Sequence, residues 1–224
     1  MRGAGLALAL SAIAGCAEQG ALPEGALLDG KAPTLFSQLR GVDDANRRRI
    51  VEFERGKNWD GLVKHAGDNL ARDPNSADWW MVAGYAHSQA GRPSRAAECY
   101  AEVVRLAPDE ISGWNLLAQS YRDAKQPQRA VQTLNNALLV RRSSAETWFL
   151  LGESYSDMNR YQPAASAYRE AVQLGSGDAH VWFGLARAYA GLGQRAEFEQ
   201  ARRTLEQLDP ALARQLNEFR SGPR

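Results

Sequence analysis

Residues 145–178 read AETWFLLGESYSDMNRYQPAASAYREAVQLGSGD, and this stretch of 34 residues decides the fold. Trp148, Leu151 and Tyr155 stand at positions i, i+3 and i+7, which places them on one face of a helix. The same spacing recurs in the second half of the stretch, at Ala164, Tyr168 and Ala171. A proline precedes this second set, near a helix start, where its missing N–H costs nothing. The stretch therefore predicts two amphipathic helices joined by a short turn.

The pattern recurs along the chain at a fixed period. Tryptophans occupy the same position in four consecutive units, at Trp80, Trp114, Trp148 and Trp182, so that each stands 34 residues after the last. In this register the units start at Asp43, Ala77, Ile111, Ala145 and Ala179. A fixed period of this length indicates supersecondary units stacked one on the next.

The unit resembles the tetratricopeptide repeat, whose pattern is W-x2-L-G-x2-Y, then A-x3-F, then P. The resemblance implies an all-α fold, a right-handed superhelical solenoid of about five 34-residue helix-turn-helix repeats. The expected repeats are 43–76, 77–110, 111–144, 145–178 and 179–210. The first repeat has Asn46 in place of the tryptophan, as expected for an atypical terminal repeat. Leu212, Leu216 and Phe219 predict a capping helix within 211–224, followed by a tail.

The N-terminal residues indicate export and lipidation. Residues 1–15 contain Arg2 followed by an apolar run, which is typical of a signal peptide. Ile13-Ala14-Gly15-Cys16 resembles the lipobox of bacterial lipoproteins, which implies that Cys16 carries a lipid anchor in a membrane. The alternative is an ordinary cleavage site followed by a small residue. Frequent glycine and proline in 16–42 predict a flexible tether.

The rules that sort such lipoproteins use an aspartate after the cysteine for retention at the inner membrane. Ala17 stands there instead. The resemblance therefore implies an outer-membrane lipoprotein of the bacterial cell envelope that faces the periplasm.

Composition and motifs disfavour several classes of function. The chain has 27 Lys and Arg against 26 Asp and Glu, so it lacks the basic surplus typical of nucleic-acid binding. His65, His87 and His180 lie far apart in sequence, and no H-E-x-x-H motif occurs. Cys99 is expected to be a small buried residue rather than a nucleophile. We expect no enzyme activity, no metal, no cofactor and no small-molecule substrate.

The resemblance places the first helix of each repeat on an inner, concave wall, with register positions 2, 5, 9 and 12 facing a bound protein or peptide segment. The predicted groove residues are Arg47, Met81, Tyr85, Asn115, Gln119, Arg122, Phe149, Glu153, Phe183 and Arg187. Tyr85, Phe149 and Phe183 suggest exposed aromatic anchors. The alternative is that some of them pack against neighbouring repeats.

Polar groove residues have expected roles of their own. Asn115 and Gln119 are expected to bond the backbone of the bound segment, and Arg122 or Arg187 to bind a carboxylate. The four tryptophans are expected in the core rather than at a ligand.

We therefore hypothesise a lipid-anchored adaptor that localises or assembles an envelope machine. The lipoproteins that it resembles include pilotins of type IV pili and tetratricopeptide-repeat lipoproteins of tight-adherence pilus systems, which favours a pilus or a secretion system. The alternative is an adaptor or regulator of peptidoglycan-processing enzymes or of outer-membrane protein assembly. This inference rests on analogy between folds.

Overall fold

The structure is a computed structural model that describes residues 39–220. The first three helix pairs of this part are α1 (Asp44–Arg55) with α2 (Trp59–Leu70), α3 (Ala77–Gln89) with α4 (Pro93–Leu106), and α5 (Ile111–Asp123) with α6 (Pro127–Val140). The last two pairs and the final helix are α7 (Ala145–Ser156) with α8 (Tyr161–Gln173), α9 (Ala179–Gly191) with α10 (Arg195–Leu208), and α11 (Pro210–Arg220).

Each pair falls within one predicted repeat. The predicted all-α solenoid of five helix pairs with a closing helix is confirmed. The predicted signal peptide, Cys16, most of the predicted tether and the last four residues of the tail lie outside the described residues.

First and second helices begin in different ways. Most first helices have a side-chain cap, in which an oxygen accepts a hydrogen bond from a backbone N–H of the first turn, as Asp43, Ser76, Ser144 and Asp178 do. The second helices α4 and α6 begin instead at a proline, whose fixed backbone angle suits a first helical position. A local sequence signal therefore marks the start of these six helices, and Asn58 caps the second helix α2 in the same way as the first helices are capped.

The turn inside each repeat uses a left-handed residue at register position 15. The backbone angle φ there is 50° at Lys57, 70° at Gly91, 60° at Lys125, 56° at Asn159 and 71° at Gly193. Two of the five are glycines, which adopt this conformation without steric cost. The turn geometry is thus the same in all five repeats although its sequence is not.

Small residues let the helices of a repeat approach closely. A Cβ at Gly84 would lie 2.6 Å from the ring of Tyr100, and one at Gly152 would lie 2.6 Å from the ring of Tyr168. Both tyrosines are fully buried. The two helices of these repeats therefore approach closely at Gly84 and Gly152.

The first helices form the inner side of the solenoid at its C-terminal end. Besides packing on its own second helix, α7 contacts both α5 and α9, the first helices of the repeats before and after it. Helices in direct contact across repeats lie on the side where the stack is most compressed. The inner wall therefore consists of first helices.

The last residues of the predicted tether are packed. Leu39 is 1% exposed and Val42 is 4% exposed, and both belong to the hydrophobic cluster of the first repeats. Residues 39–42 are therefore part of the folded body.

Candidate functional site

Inner side chains of neighbouring repeats bond to one another. The Tyr85 hydroxyl donates to the Glu54 carboxylate of the preceding repeat at 2.7 Å. Burial, followed by the hydrogen bond to Glu54, raises the pKa of Tyr85. In the middle of the solenoid, Thr147 Oγ1 donates to the Asn115 side-chain oxygen at 2.9 Å. The structure thus brings the predicted inner positions together, and their polar groups join the repeats.

Arg122 is the most highly bonded residue of this wall. Its Nε donates to Asp157 at 2.8 Å, its Nη2 to Glu153 at 3.0 Å and its Nη1 to Gln119 at 3.1 Å. Burial by itself lowers the pKa of Arg122, but the contacts with Asp157 and Glu153 outweigh it and raise that pKa. The predicted carboxylate-binding role of Arg122 is corrected accordingly, because carboxylates of this chain already occupy its guanidinium group.

Glu153 extends this network into the next helix. Its Oε1 accepts a hydrogen bond of 2.5 Å from the hydroxyl of Tyr168, and burial together with Glu153 raises the pKa of Tyr168. Asp157, which sequence reasoning did not select, stands at register position 13, one residue beyond the positions used for the prediction. Glu153 therefore ties α5, α7 and α8 together.

Three predicted groove residues are buried. Met81 is 6% exposed, Asn115 is 0% exposed and Phe149 is 7% exposed. The Phe149 ring lies 6.0 Å from the ring of Tyr168, inside the solenoid. The expectation of an exposed anchor is therefore wrong for Phe149, and neither Met81 nor Asn115 offers appreciable surface. Side chains at register position 5 are covered in these repeats because neighbouring helices close over them.

Arg47 also has ligands within the chain. Its Nε donates to the carbonyl of Val42 at 2.8 Å, and its Nη2 donates to the carbonyl of Leu39. The predicted groove residue of the first repeat therefore holds backbone of this chain.

The remaining predicted groove residues lie toward the C-terminal end of the wall. Gln119 is partly exposed and donates to Asp123 at 2.9 Å. Phe183 is partly exposed, and the guanidinium group of Arg187 lies 5.8 Å from its ring centroid. His180, at register position 2 of the same repeat, is exposed. Phe183, Arg187 and His180 thus share α9, and Tyr85 on α3 is partly exposed as well.

The repeat tryptophans are partly buried rather than fully buried. The indole N–H groups of Trp80, Trp114 and Trp148 donate to the carbonyl six residues earlier, at 2.9, 2.8 and 3.0 Å. Each bond ties a first helix to the turn before it. The tryptophans therefore serve the scaffold, as predicted, although they lie at its margin.

A pocket of about 540 Å³ lies between α3 and α4, lined by Trp80, His87, Arg95, Glu98, Cys99 and Glu102. Its charged groups are paired, because Arg95 contacts Glu98 and Glu102 contacts Arg105, each at 2.8 Å. Burial raises the pKa of the Cys99 thiol to about 11, which disfavours the reactive thiolate.

The described residues contain neither a metal-ligand cluster nor a membrane-spanning helix. Within residues 39–220, no three His, Cys, Asp or Glu side chains are grouped as a metal ion requires. Over the same residues, no helix is both long enough and apolar enough to cross a bilayer.

Comparisons with protein families and curated proteins bear on the repeats. The family described as tetratricopeptide repeat matches residues 68–111 and 149–213. The family described as anaphase-promoting complex, cyclosome, subunit 3 matches residues 95–171. Neither description names an enzyme activity. No curated protein matches the chain.

Solved structures resemble the whole solenoid. MamA is 21% identical with a TM-score of 0.66, and the match covers 77% of this chain and 98% of MamA. YrrB, described as a TPR protein with an unusual peptide-binding site, is 15% identical with a TM-score of 0.62, over 75% of this chain and 88% of YrrB. TTC0263, a thermophilic TPR protein of Thermus thermophilus, is 17% identical with a TM-score of 0.58, over 76% of this chain and 95% of TTC0263. These similarities establish the fold.

Proposed function

Because the chain is a tetratricopeptide-repeat protein, we propose that it is an adaptor that binds a segment of another protein on the inner wall of its last three repeats. The repeat scaffold is typical of proteins that mediate protein–protein interaction. The similarity to YrrB, which is described as having a peptide-binding site, supports the same mode of action. The observation that carries the proposal is the partly exposed Phe183 beside Arg187 on α9.

The geometry of α9 suits an extended or helical segment with an apolar side chain. Phe183 offers aromatic surface for that side chain, and aromatic and arginine residues are enriched among the strongest contacts of protein interfaces. Gln119 and Glu153, whose polar atoms are bonded within the chain, lie beside the same path on α5 and α7, so that the segment would run across three first helices. The Arg122 network stabilises this wall, which reduces the ordering needed on binding.

Affinity capture tests the binding surface. The Phe183→Ala variant should lose the captured protein, because Phe183 is partly exposed at the inner surface. Since Phe183 also packs against the last hydrophobic cluster, capture is compared at a temperature where circular dichroism shows the variant fully folded. Leu139→Ala is the matched control, since Leu139 is 86% exposed on the second helix α6 and should keep the partner. Unchanged capture by Phe183→Ala would remove the α9 surface from the proposal.

We further propose that the adaptor is anchored through a lipid on Cys16 to the outer membrane, faces the periplasm and serves a pilus or secretion machine. The lipobox-like Ile13-Ala14-Gly15-Cys16 and the following Ala17 support this anchoring. Wild type should incorporate a labelled fatty acid and Cys16→Ala should not. Equal labelling of both would contradict the anchor.

The captured protein decides between the two envelope roles. Pilus or secretin subunits would support the assembly role. Peptidoglycan-processing enzymes or outer-membrane assembly subunits would support the alternative.

A further inference from the structure

Residues 39–42 lie against inner side chains of the first two repeats. Arg47, at register position 5 of the first repeat, donates to the carbonyls of Leu39 and Val42. Asp78, at position 2 of the second repeat, accepts a hydrogen bond from the backbone N–H of Gly41 at 2.5 Å. Both positions belong to the set predicted to face a bound segment. These side chains thus hold a short bend of backbone, at residues 40 and 41, that comes from the same chain.

The two ends of this segment are buried and its middle is exposed. Leu39 and Val42 are buried in the first hydrophobic cluster, whereas Arg40 and Gly41 are exposed. Peptide recognition commonly combines hydrogen bonds to the main chain, which supply affinity, with apolar contacts to selected side chains, which supply specificity. Two carbonyls, one amide and two apolar side chains are engaged here.

Glycine at position 41 permits the close approach. A Cβ added there would lie 3.1 Å from Asp78 Oδ2, tighter than an ordinary contact. A larger side chain at this position would have to displace the Asp78 carboxylate, so glycine suits this contact.

We propose that Leu39–Val42 is an intramolecular ligand that occupies the groove at the first two repeats. Another protein can then bind this end of the groove only by displacing these residues. The proposal builds on the proposed function, that the inner wall binds protein segments. Phe183, on the fifth repeat, is partly exposed and packs in part against the last hydrophobic cluster.

The covalent link makes the internal ligand an effective competitor. A segment joined by a short chain is present at an effective concentration of the order of millimolar. If the segment itself binds with a dissociation constant of about 10–100 μM, its effective concentration would weaken the binding of the same sequence, added as a separate peptide, by roughly 10- to 100-fold. Releasing the segment should therefore raise the affinity for an external copy by about that factor.

Binding of a labelled peptide of residues 36–45 to the full chain tests the proposal. Wild type should bind it at least about tenfold more weakly than the release variant Leu39→Ser/Val42→Ser. Adding Asp78→Ala to the release variant should abolish the binding, and adding Arg95→Ala, on the second helix α4, should not. Equal binding by wild type and release variant, or no binding by the release variant, would overturn the proposal.

Trypsin cleavage after Arg40 gives a second measurement that keeps the hydrophobic residues intact. The bond is followed by Gly41, which Asp78 holds, so wild type should be cleaved several-fold more slowly than Asp78→Ala. Equal cleavage rates of wild type and Asp78→Ala, when the two have equal thermal stability, would also overturn the proposal.

Neither measurement uses the external partner. A failed capture experiment with Phe183→Ala therefore counts against the proposed function alone, and a failed peptide experiment counts against the internal ligand alone.

Discussion

Gly152 lies directly against the buried ring of Tyr168, and its replacement tests how tightly the repeats are packed. A Cβ at this position would lie 2.6 Å from the ring, which Glu153 and Ser156 hold by hydrogen bonds to its hydroxyl. Because the ring cannot move easily, Gly152→Ala should lower the free energy of unfolding by about 2 kcal/mol. Urea denaturation measures the change. Gly67→Ala, in the helix α2, is the control. A Cβ at this position would meet nothing within 4 Å, so the substitution should be neutral or stabilising.

His65 makes stability depend on pH. Its ring lies 5.7 Å from Phe53 and 5.5 Å from Trp79, and its Nε2 is buried without a hydrogen-bond partner in the described structure. Burial, followed by the charge of Arg49, lowers its pKa. The unfolded chain therefore binds a proton below a pH of about 6.5 while the folded chain does not, and stability should fall as the pH drops from there toward the folded-state pKa.

His65→Phe should reduce this loss of stability. Urea midpoints of unfolding at pH 7.5 and pH 5.0 measure this loss. Between these pH values the midpoint of wild type should fall further than that of the variant. The pKa of His87 is also lowered, first by burial, so part of the dependence should remain. The same loss in the variant and in wild type would contradict the assignment to His65.

At the residue scale, the register predicted which side chains share a face but not how far each is covered. The face of Trp148 follows from its spacing with Leu151 and Tyr155. The partial exposure of Trp148 does not follow from that spacing, because the indole lies over the preceding turn and donates to a carbonyl there. Likewise, position 5 points inward at Phe149, but coverage of that ring depends on packing with Tyr168, which the period of a single repeat does not encode.

At the scale of elements, the turn within each repeat requires a left-handed residue. Gly91 has φ of 70° and open space around its Cα, so a Cβ there meets only its own backbone. Gly91→Ala should therefore cost about 1 kcal/mol. Lys125→Gly, at the same register position of the next repeat with φ of 60°, should be neutral or stabilising. Thermal denaturation measures both, and a Gly91→Ala variant as stable as wild type would contradict the turn geometry.

Sequence predicted the places of these turns but not their backbone. Pro93 and Pro127 mark the starts of second helices, and the two glycines suggest a left-handed turn residue in their repeats. Lys57 and Lys125 give no such signal, since lysine adopts positive φ rarely. There the geometry follows from the packing of the two helices on either side, which overrides the local preference.

At the scale of the whole molecule, the inner wall has two parts. One holds a segment of this chain, and the other presents side chains at its surface. The first two repeats hold residues 39–42 through Arg47 and Asp78. The wall of the last three repeats is joined by the Arg122 network and presents Phe183 and His180. The family register predicted the wall itself. It did not predict that the chain fills one end, because that contact depends on residues before the first repeat, to which the register does not extend.

The central claim is that partners bind the inner wall of the last three repeats. Its most direct test is site-specific photo-crosslinking in cells, with the crosslinker at His180 on the inner wall or at Leu139 on a second helix. Both positions are exposed, so that accessibility alone does not distinguish them. A discrete adduct with another protein is expected from position 180 and none from position 139. Adducts from position 139 alone, or the same adducts from both positions, would contradict the claim.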